Sequence, residues 1–273
     1  MDSAAETDDR RLRDSVVTSS GRAAVLLTSD RVRIEAEYTP EEGGGRGLAV
    51  VVAHGFTGAL DRPAIRRAAA GLRAGGGVVT FSFRGHGRSG GHSTVGDREV
   101  LDLDAAVRWA RSLGYARVAA LGFSMGASVV LRHAGADPSA GLAPVDAVVA
   151  VSSPARWYYR GTAPMRRLHW VVTRPAGRLV SRVGLRTRIH PREWDPVPRS
   201  PVESVPHIAP TPLLIVHGDQ DAYFPLDHPL SLAAASGGSA DLWLEPGFGH
   251  AENAVGPELL SRLRAWLTAN AVR

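Results

Sequence analysis

The chain has 273 residues, 44% of them hydrophobic and 22% charged, which is enough for a sizeable core and ordinary for a globular protein. It contains no cysteine, so disulfides, thiolate metal sites and a cysteine nucleophile are excluded, and a reducing cytoplasm suits it. The formal charge is +5 and every basic side chain counted in it is arginine. That reflects either a coding bias toward arginine or a patch that attracts anions, and only the distribution of the charge separates the two.

Residues 1–21 show no apolar period and are expected to form a flexible tail. Their polar start lacks the apolar stretch of an export signal, and no segment has the run of ~18 apolar residues that a membrane span needs. A cytoplasmic location is therefore expected. Residues 23–28 (AAVLLT) and 32–38 (VRIEAEY) read as a hairpin at a sheet edge, because the second alternates apolar and charged residues. Residues 48–53 (LAVVVA) are apolar on both faces, as in a central strand, and run into His54-Gly55-Phe56-Thr57-Gly58.

A helix is expected over 63–74, starting at Pro63 and stopped by Gly75-Gly76-Gly77. A strand follows at 78–83, then the glycine-rich run Arg84-Gly85-His86-Gly87-Arg88-Ser89-Gly90-Gly91. Apolar residues at helical spacing mark 97–113 as a helix. Residues 117–121 form a strand that stops at Gly122-Phe123-Ser124-Met125-Gly126 and resumes as a helix. Strands at 147–151, 213–216 and 240–244 and helices at 226–235 and 257–269 complete the pattern. Alternation of this kind implies a mostly parallel sheet with helices on both faces.

Between 151 and 213 the rhythm lapses for longer than a simple connection allows. Pro164 and Pro175 suit the first turns of two short helices, 164–173 and 175–183, followed by a proline-rich return. Eleven arginines fall between 156 and 199, against only Glu193, Asp195 and Glu203. This is where the basic charge resides. It forms either a solvated face or a surface for anionic substrates or lipid, with Trp157, Tyr158, Tyr159 and Trp170 as interfacial groups. Nucleic acid is not expected as a partner, since nothing resembles a reader module.

The serine at the tip of a strand–turn–helix, flanked by glycines, suits a nucleophile that a histidine and a carboxylate activate. The chain resembles the α/β-hydrolase superfamily over roughly residues 23–270. The resemblance is carried by Gly122-Phe123-Ser124-Met125-Gly126, by His217-Gly218-Asp219-Gln220-Asp221 with Pro225, and by Gly247-Phe248-Gly249-His250. It implies an α/β-hydrolase fold with a core of 22–153 and 211–273 and a cap of 154–210. It further implies Ser124 as nucleophile, Asp221 as acid and His250 as base. Asp219 is the rival acid, and Asp221 is preferred because its spacing to Pro225 matches the family.

The resemblance also implies an oxyanion hole from the backbone N–H groups of Met125 and Phe56, the latter in a His-Gly-aromatic loop. His54, Trp157 and Tyr158 are candidate substrate residues. The run at 83–91 is similar to the RGHGxS loop of the superfamily, with Ser82 where many relatives have aspartate. Glu99 and Asp102 are expected to tie that loop down. Phosphate-loop and dinucleotide motifs are absent and no metal cluster is evident, so no cofactor or metal is expected. The expected activity is cleavage of a small-molecule ester with a hydrophobic acyl or aryl part. The same machinery serves thioesterases, aminopeptidases and acyltransferases, and a non-catalytic hydrolase-fold binding protein is the competing class.

Overall fold

A computed structural model describes residues 21–271. Eight strands form one sheet: β1 (Arg22–Leu27), β2 (Arg33–Thr39), β3 (Leu48–Ala53), β4 (Gly77–Phe81), β5 (Arg117–Phe123), β6 (Ala147–Val151), β7 (Leu213–Gly218) and β8 (Ala240–Glu245). Their order across the sheet is β1-β2-β4-β3-β5-β6-β7-β8. The first hairpin pairs antiparallel at the edge, as does β2 with β4, and every other pair is parallel. The expected tail lies outside the described residues except for Gly21, which immediately precedes β1.

Nine helices pack on or beside this sheet among the described residues. They are α1 (Pro63–Leu72), α2 (Glu99–Ser112), α3 (Met125–Ala134), α4 (Ala163–Thr173), α5 (Pro175–Gly184), α6 (Pro201–Ser204), α7 (Asp227–Ala235), α8 (Ala251–Ala254) and α9 (Pro257–Asn270). The period-two geometry of β3 divides its side chains between two cores. Leu48, Val50 and Val52 meet Ile65 and Leu72 of α1 and Leu260 and Leu263 of α9. Ala49, Val51 and Ala53 meet Leu103 and Val107 of α2 and Val130 and Leu131 of α3. Burial on both faces explains why β3 to β7 carry continuous apolar runs rather than alternation.

The insertion between β6 and β7 holds α4, α5 and the short α6. Thr162 caps α4, its side chain accepting from the Met165 N–H. Isolated bridges pair His86 with Thr187 and Ser93 with Ile189, which lock the insertion onto the loop after β4. The α6 turn, absent from the sequence reading, closes with a capping box between Ser200 and Glu203.

Candidate active site

Three loops, at the C-terminal ends of the parallel strands β5, β7 and β8, bring Ser124, Asp221 and His250 together. Ser124 stands between β5 and α3 with φ of 51° and ψ of −112°, a conformation that non-glycine residues rarely adopt. The turn is this sharp only because its flanks lack side chains. A Cβ on Gly122 would lie 2.2 Å from the Gly126 carbonyl oxygen, and one on Gly126 would lie 2.3 Å from that of Ala53. The glycines therefore let the turn fold against itself and against β3, and the serine hydroxyl is pushed out.

That hydroxyl donates to Nε2 of His250 at 2.9 Å, and Nδ1 of His250 donates to Oδ2 of Asp221 at 2.7 Å. The second oxygen of Asp221 accepts from the N–H groups of Tyr223 (2.8 Å) and Phe224 (3.1 Å). Burial would raise the Asp221 carboxyl, but its bond and charge interaction with His250, together with the two amides, outweigh it. Its pKa ends below the usual value of 3.8. Asp219 does not reach the imidazole. It accepts from the Gly247 N–H at 2.7 Å and so braces the turn that presents His250.

The Tyr223 ring stacks on the His250 imidazole, with centroids 4.2 Å apart and planes at 27°, and Phe224 meets it edge-on at 5.6 Å. Sequence reasoning passed over both residues, although they stand between Asp221 and Pro225 in the motif that located the acid. His217 lies below, its Nε2 donating to the Phe224 carbonyl at 2.8 Å. Burial lowers its pKa, and it anchors the acid loop in the neutral form.

The loop after β3 faces the tip of α3. Met125 opens α3, where a first-turn N–H has no intrahelical acceptor, and the Phe56 N–H has no acceptor among the described residues. Both residues line the cavity beside Ser124. The loop is held from behind. The Gly55 N–H donates to Glu252 at 3.0 Å, and the Thr57 N–H donates to Nε2 of His86 at 3.3 Å. Glu252 sits on α8, which starts just after His250, so the histidine loop and the loop after β3 are tied directly.

His54 is turned away from the cavity. Its Nδ1 donates to the Gly55 carbonyl at 2.7 Å and its Nε2 accepts from the Phe83 N–H at 3.0 Å. Full burial, then the neighbouring His86, drives its pKa down to about 3. His54, expected as a substrate residue, does not line the cavity. The ring instead joins the ends of β3 and β4.

The loop after β4 is tied down as expected. Arg84 is 3% exposed and binds Asp102 through Nε (2.9 Å) and Nη2 (2.8 Å) while its amide donates to the same carboxylate. Glu99 accepts from Ser93, from the N–H and hydroxyl of Thr94, and from the Gly96 N–H. Ser82 donates to Glu35 at 2.8 Å, and the same carboxylate binds Arg88. The carboxylate at this place thus comes from β2, across the sheet, in place of an aspartate at residue 82.

Above Ser124 lies a cavity of about 250 Å³. Phe56, Met125, Val95 and Phe224 supply its floor from the core, and Trp157, Tyr158, Tyr159, Met165, Leu168, Val172 and Trp194 supply its walls from the insertion. Trp157 packs on Trp194 at 5.1 Å and donates its indole N–H to the Pro198 carbonyl at 2.9 Å. Trp194 was not singled out in the sequence, where it falls in the proline-rich return. Among the described residues no group of three or more His, Asp or Glu side chains could hold a metal ion, and no helix is long and apolar enough to cross a membrane.

An eight-stranded, mostly parallel sheet with a serine at the strand–helix turn defines an α/β hydrolase. The family model described as "Alpha/beta hydrolase family" matches residues 50–261, and the chain belongs to that family. An uncharacterized protein of Mycobacterium tuberculosis, Rv2307c, is 27% identical over 269 residues, covering 94% of this chain and 83% of that protein. The Pyrococcus furiosus esterase Pf2001 superposes with a TM-score of 0.71 at 22% identity, over 92% of this chain and 93% of that one. Est1E from Butyrivibrio proteoclasticus, solved with ferulic acid bound, gives 0.63 at 19% identity over 91% and 99%. These structural likenesses show the shared fold.

Proposed function

We propose that this hydrolase cleaves a carboxylic ester whose acyl or aryl part is hydrophobic, through a Ser124–His250–Asp221 triad. The observation that carries the reading is the unbroken hydrogen-bond relay from Asp221 through His250 to the Ser124 hydroxyl at the base of an aromatic cavity. His250 takes the Ser124 proton as Oγ attacks the carbonyl, and the amides of Phe56 and Met125 hold the developing oxyanion. One such donor is worth about 3 kcal/mol in the transition state. The tetrahedral intermediate collapses as His250 protonates the leaving alcohol. Water, deprotonated by His250, then releases the acid and restores Ser124.

In this reading the insertion is a cap. Trp157, Tyr158 and Trp194 wall a space just below the usual range for ligand sites, suited to one aryl or medium acyl group. Solved neighbours that include an esterase and a ferulic-acid complex support the same reading. A cytoplasmic location belongs to it too, supported by a composition free of cysteine. The test is labelling by a fluorophosphonate probe together with rates on matched aryl esters, thioesters and aminoacyl amides of graded chain length. The wild type is expected to label and to favour the esters, and Ser124→Ala is expected to do neither. Equal labelling of both proteins removes Ser124 as nucleophile, and a preference for thioester or amide reassigns the substrate class.

A further inference from the structure

Helix α5 is built inside out. Its small residues Gly177 and Ser181 are the buried ones, and a Cβ on Gly177 would lie 2.5 Å from the Trp170 carbonyl oxygen of α4. Its large apolar residues face outward: Leu179 is 62% exposed, Val180 51% and Val183 74%. Positions 179 and 183 are one turn apart and 180 and 183 three residues apart, so the three side chains share one stripe. Trp170 on α4 and Leu185 just after α5 are exposed as well. A helix that only covered a core would place these side chains inward and its small residues outward.

The surrounding charge states what such a face can meet. From residue 161 to residue 192 the chain has eight arginines and no aspartate or glutamate. None of the eight pairs with an acid among the described residues. Elsewhere several arginines are neutralised: Arg84, Arg88, Arg108, Arg111, Arg117 and Arg132 all have carboxylate partners. Arg167, Arg174, Arg182 and Arg186 are exposed. A second copy meeting this face symmetrically would oppose arginine to arginine, which disfavours a dimer. An exposed apolar stripe within uncompensated arginines fits an anionic lipid interface.

We propose that the outer face of α4 and α5 docks on an anionic lipid surface. Leu179, Val180 and Val183 enter the boundary between headgroups and acyl chains, and Arg167, Arg174, Arg182 and Arg186 contact lipid phosphates. The other side of the same helix pair lines the cavity through Met165, Leu168 and Val172 of α4 and Arg178 of α5. Docking therefore sets the wall of the cavity against the lipid, and the substrate class becomes an ester carried in or released from a membrane. That last step rests on the ester-hydrolase reading, whereas the docking itself does not.

The experiment is flotation of full-length Ser124→Ala protein with vesicles of pure phosphatidylcholine and of phosphatidylcholine mixed with phosphatidylglycerol. Binding to the mixed vesicles alone is expected, weakening as salt is raised. Replacing the four exposed arginines by glutamine should reduce partitioning by about a hundredfold. The pair Leu179→Ser and Val183→Ser should reduce it by about tenfold or more, with an unchanged circular dichroism melt. In otherwise wild-type protein the same variants should lose hydrolysis of a vesicle-borne ester and keep hydrolysis of a soluble one. No vesicle binding by the parent, or binding indifferent to these substitutions, overturns the proposal. So does a dimer in light scattering that the serine pair abolishes. If docking holds while neither ester is cleaved, the proposal stands and the ester-hydrolase reading falls.

Discussion

At the scale of single residues, the two aspartates after β7 separate by what each one touches. Asp221 is enclosed and accepts from His250, Tyr223 and Phe224, whereas Asp219 accepts only from the Gly247 N–H. Asp221→Asn keeps the shape but offers His250 an amide where a carboxylate held the Nδ1 proton, so the wrong tautomer is favoured. Steady-state kinetics on the best aryl ester should show kcat about 10⁴-fold lower. Asp219→Asn preserves an acceptor for the Gly247 N–H and should leave kcat near the wild-type value. The spacing to Pro225 singled out Asp221 in the sequence, but two residues apart is too close for spacing to prove geometry. The stacked Tyr223 had no sequence signal beyond its place in that motif, since an aromatic beside an acid is as often core as catalytic support.

At the scale of elements, the loop after β4 depends on α2 rather than on its own strand. Arg84 is almost wholly enclosed, and Asp102 on α2 offers it two bonds and a third to its amide. Asp102→Ala leaves a buried guanidinium whose remaining acid, Asp30, lies in the turn between β1 and β2. Loss of one partner of a buried pair costs about 3–5 kcal/mol, and urea unfolding should show it as a lower midpoint with little change in slope. The resemblance to hydrolase relatives that share the E-x-x-D pattern marked Glu99 and Asp102 as loop ties, and each holds a different part of the loop, Asp102 at Arg84 and Glu99 at residues 93–96. The Glu35–Ser82 contact was illegible, since the partners stand 47 positions apart and meet only through β2–β4 pairing. The same holds for Glu252 and Gly55, 197 positions apart.

At the scale of the whole molecule, several histidines are enclosed in the neutral form. Burial lowers His54 to about 3 and His86 and His228 to about 4, each from an ordinary value of 6.5. Below pH 6.5 the unfolded chain takes up protons that the folded chain refuses, so stability must fall as pH falls, from about 6.5 down through 4. The slope approaches about 1.4 kcal/mol per pH unit for each such histidine, so urea midpoints measured across that range should drop steeply. Asp221 acts in a lower window. Its folded pKa is depressed, so its contribution is complete above 3.8 and fades only below that value.

The order of strands and helices, the sheet's parallel core and the three loops bearing Ser124, Asp221 and His250 were all determined by local pattern. Apolar runs, proline starts and glycine stops act within a few residues, and a sequence displays them directly. Tertiary structure alone decided where His54 points, since a ring at a strand end can face either the cavity or the neighbouring loop. It also decided that Trp194 closes the cavity and that α5 carries its large side chains outward. Each of these depends on what packs against the residue from a distant part of the chain. That is set by the balance of burial across the whole molecule, not by the neighbours along the backbone.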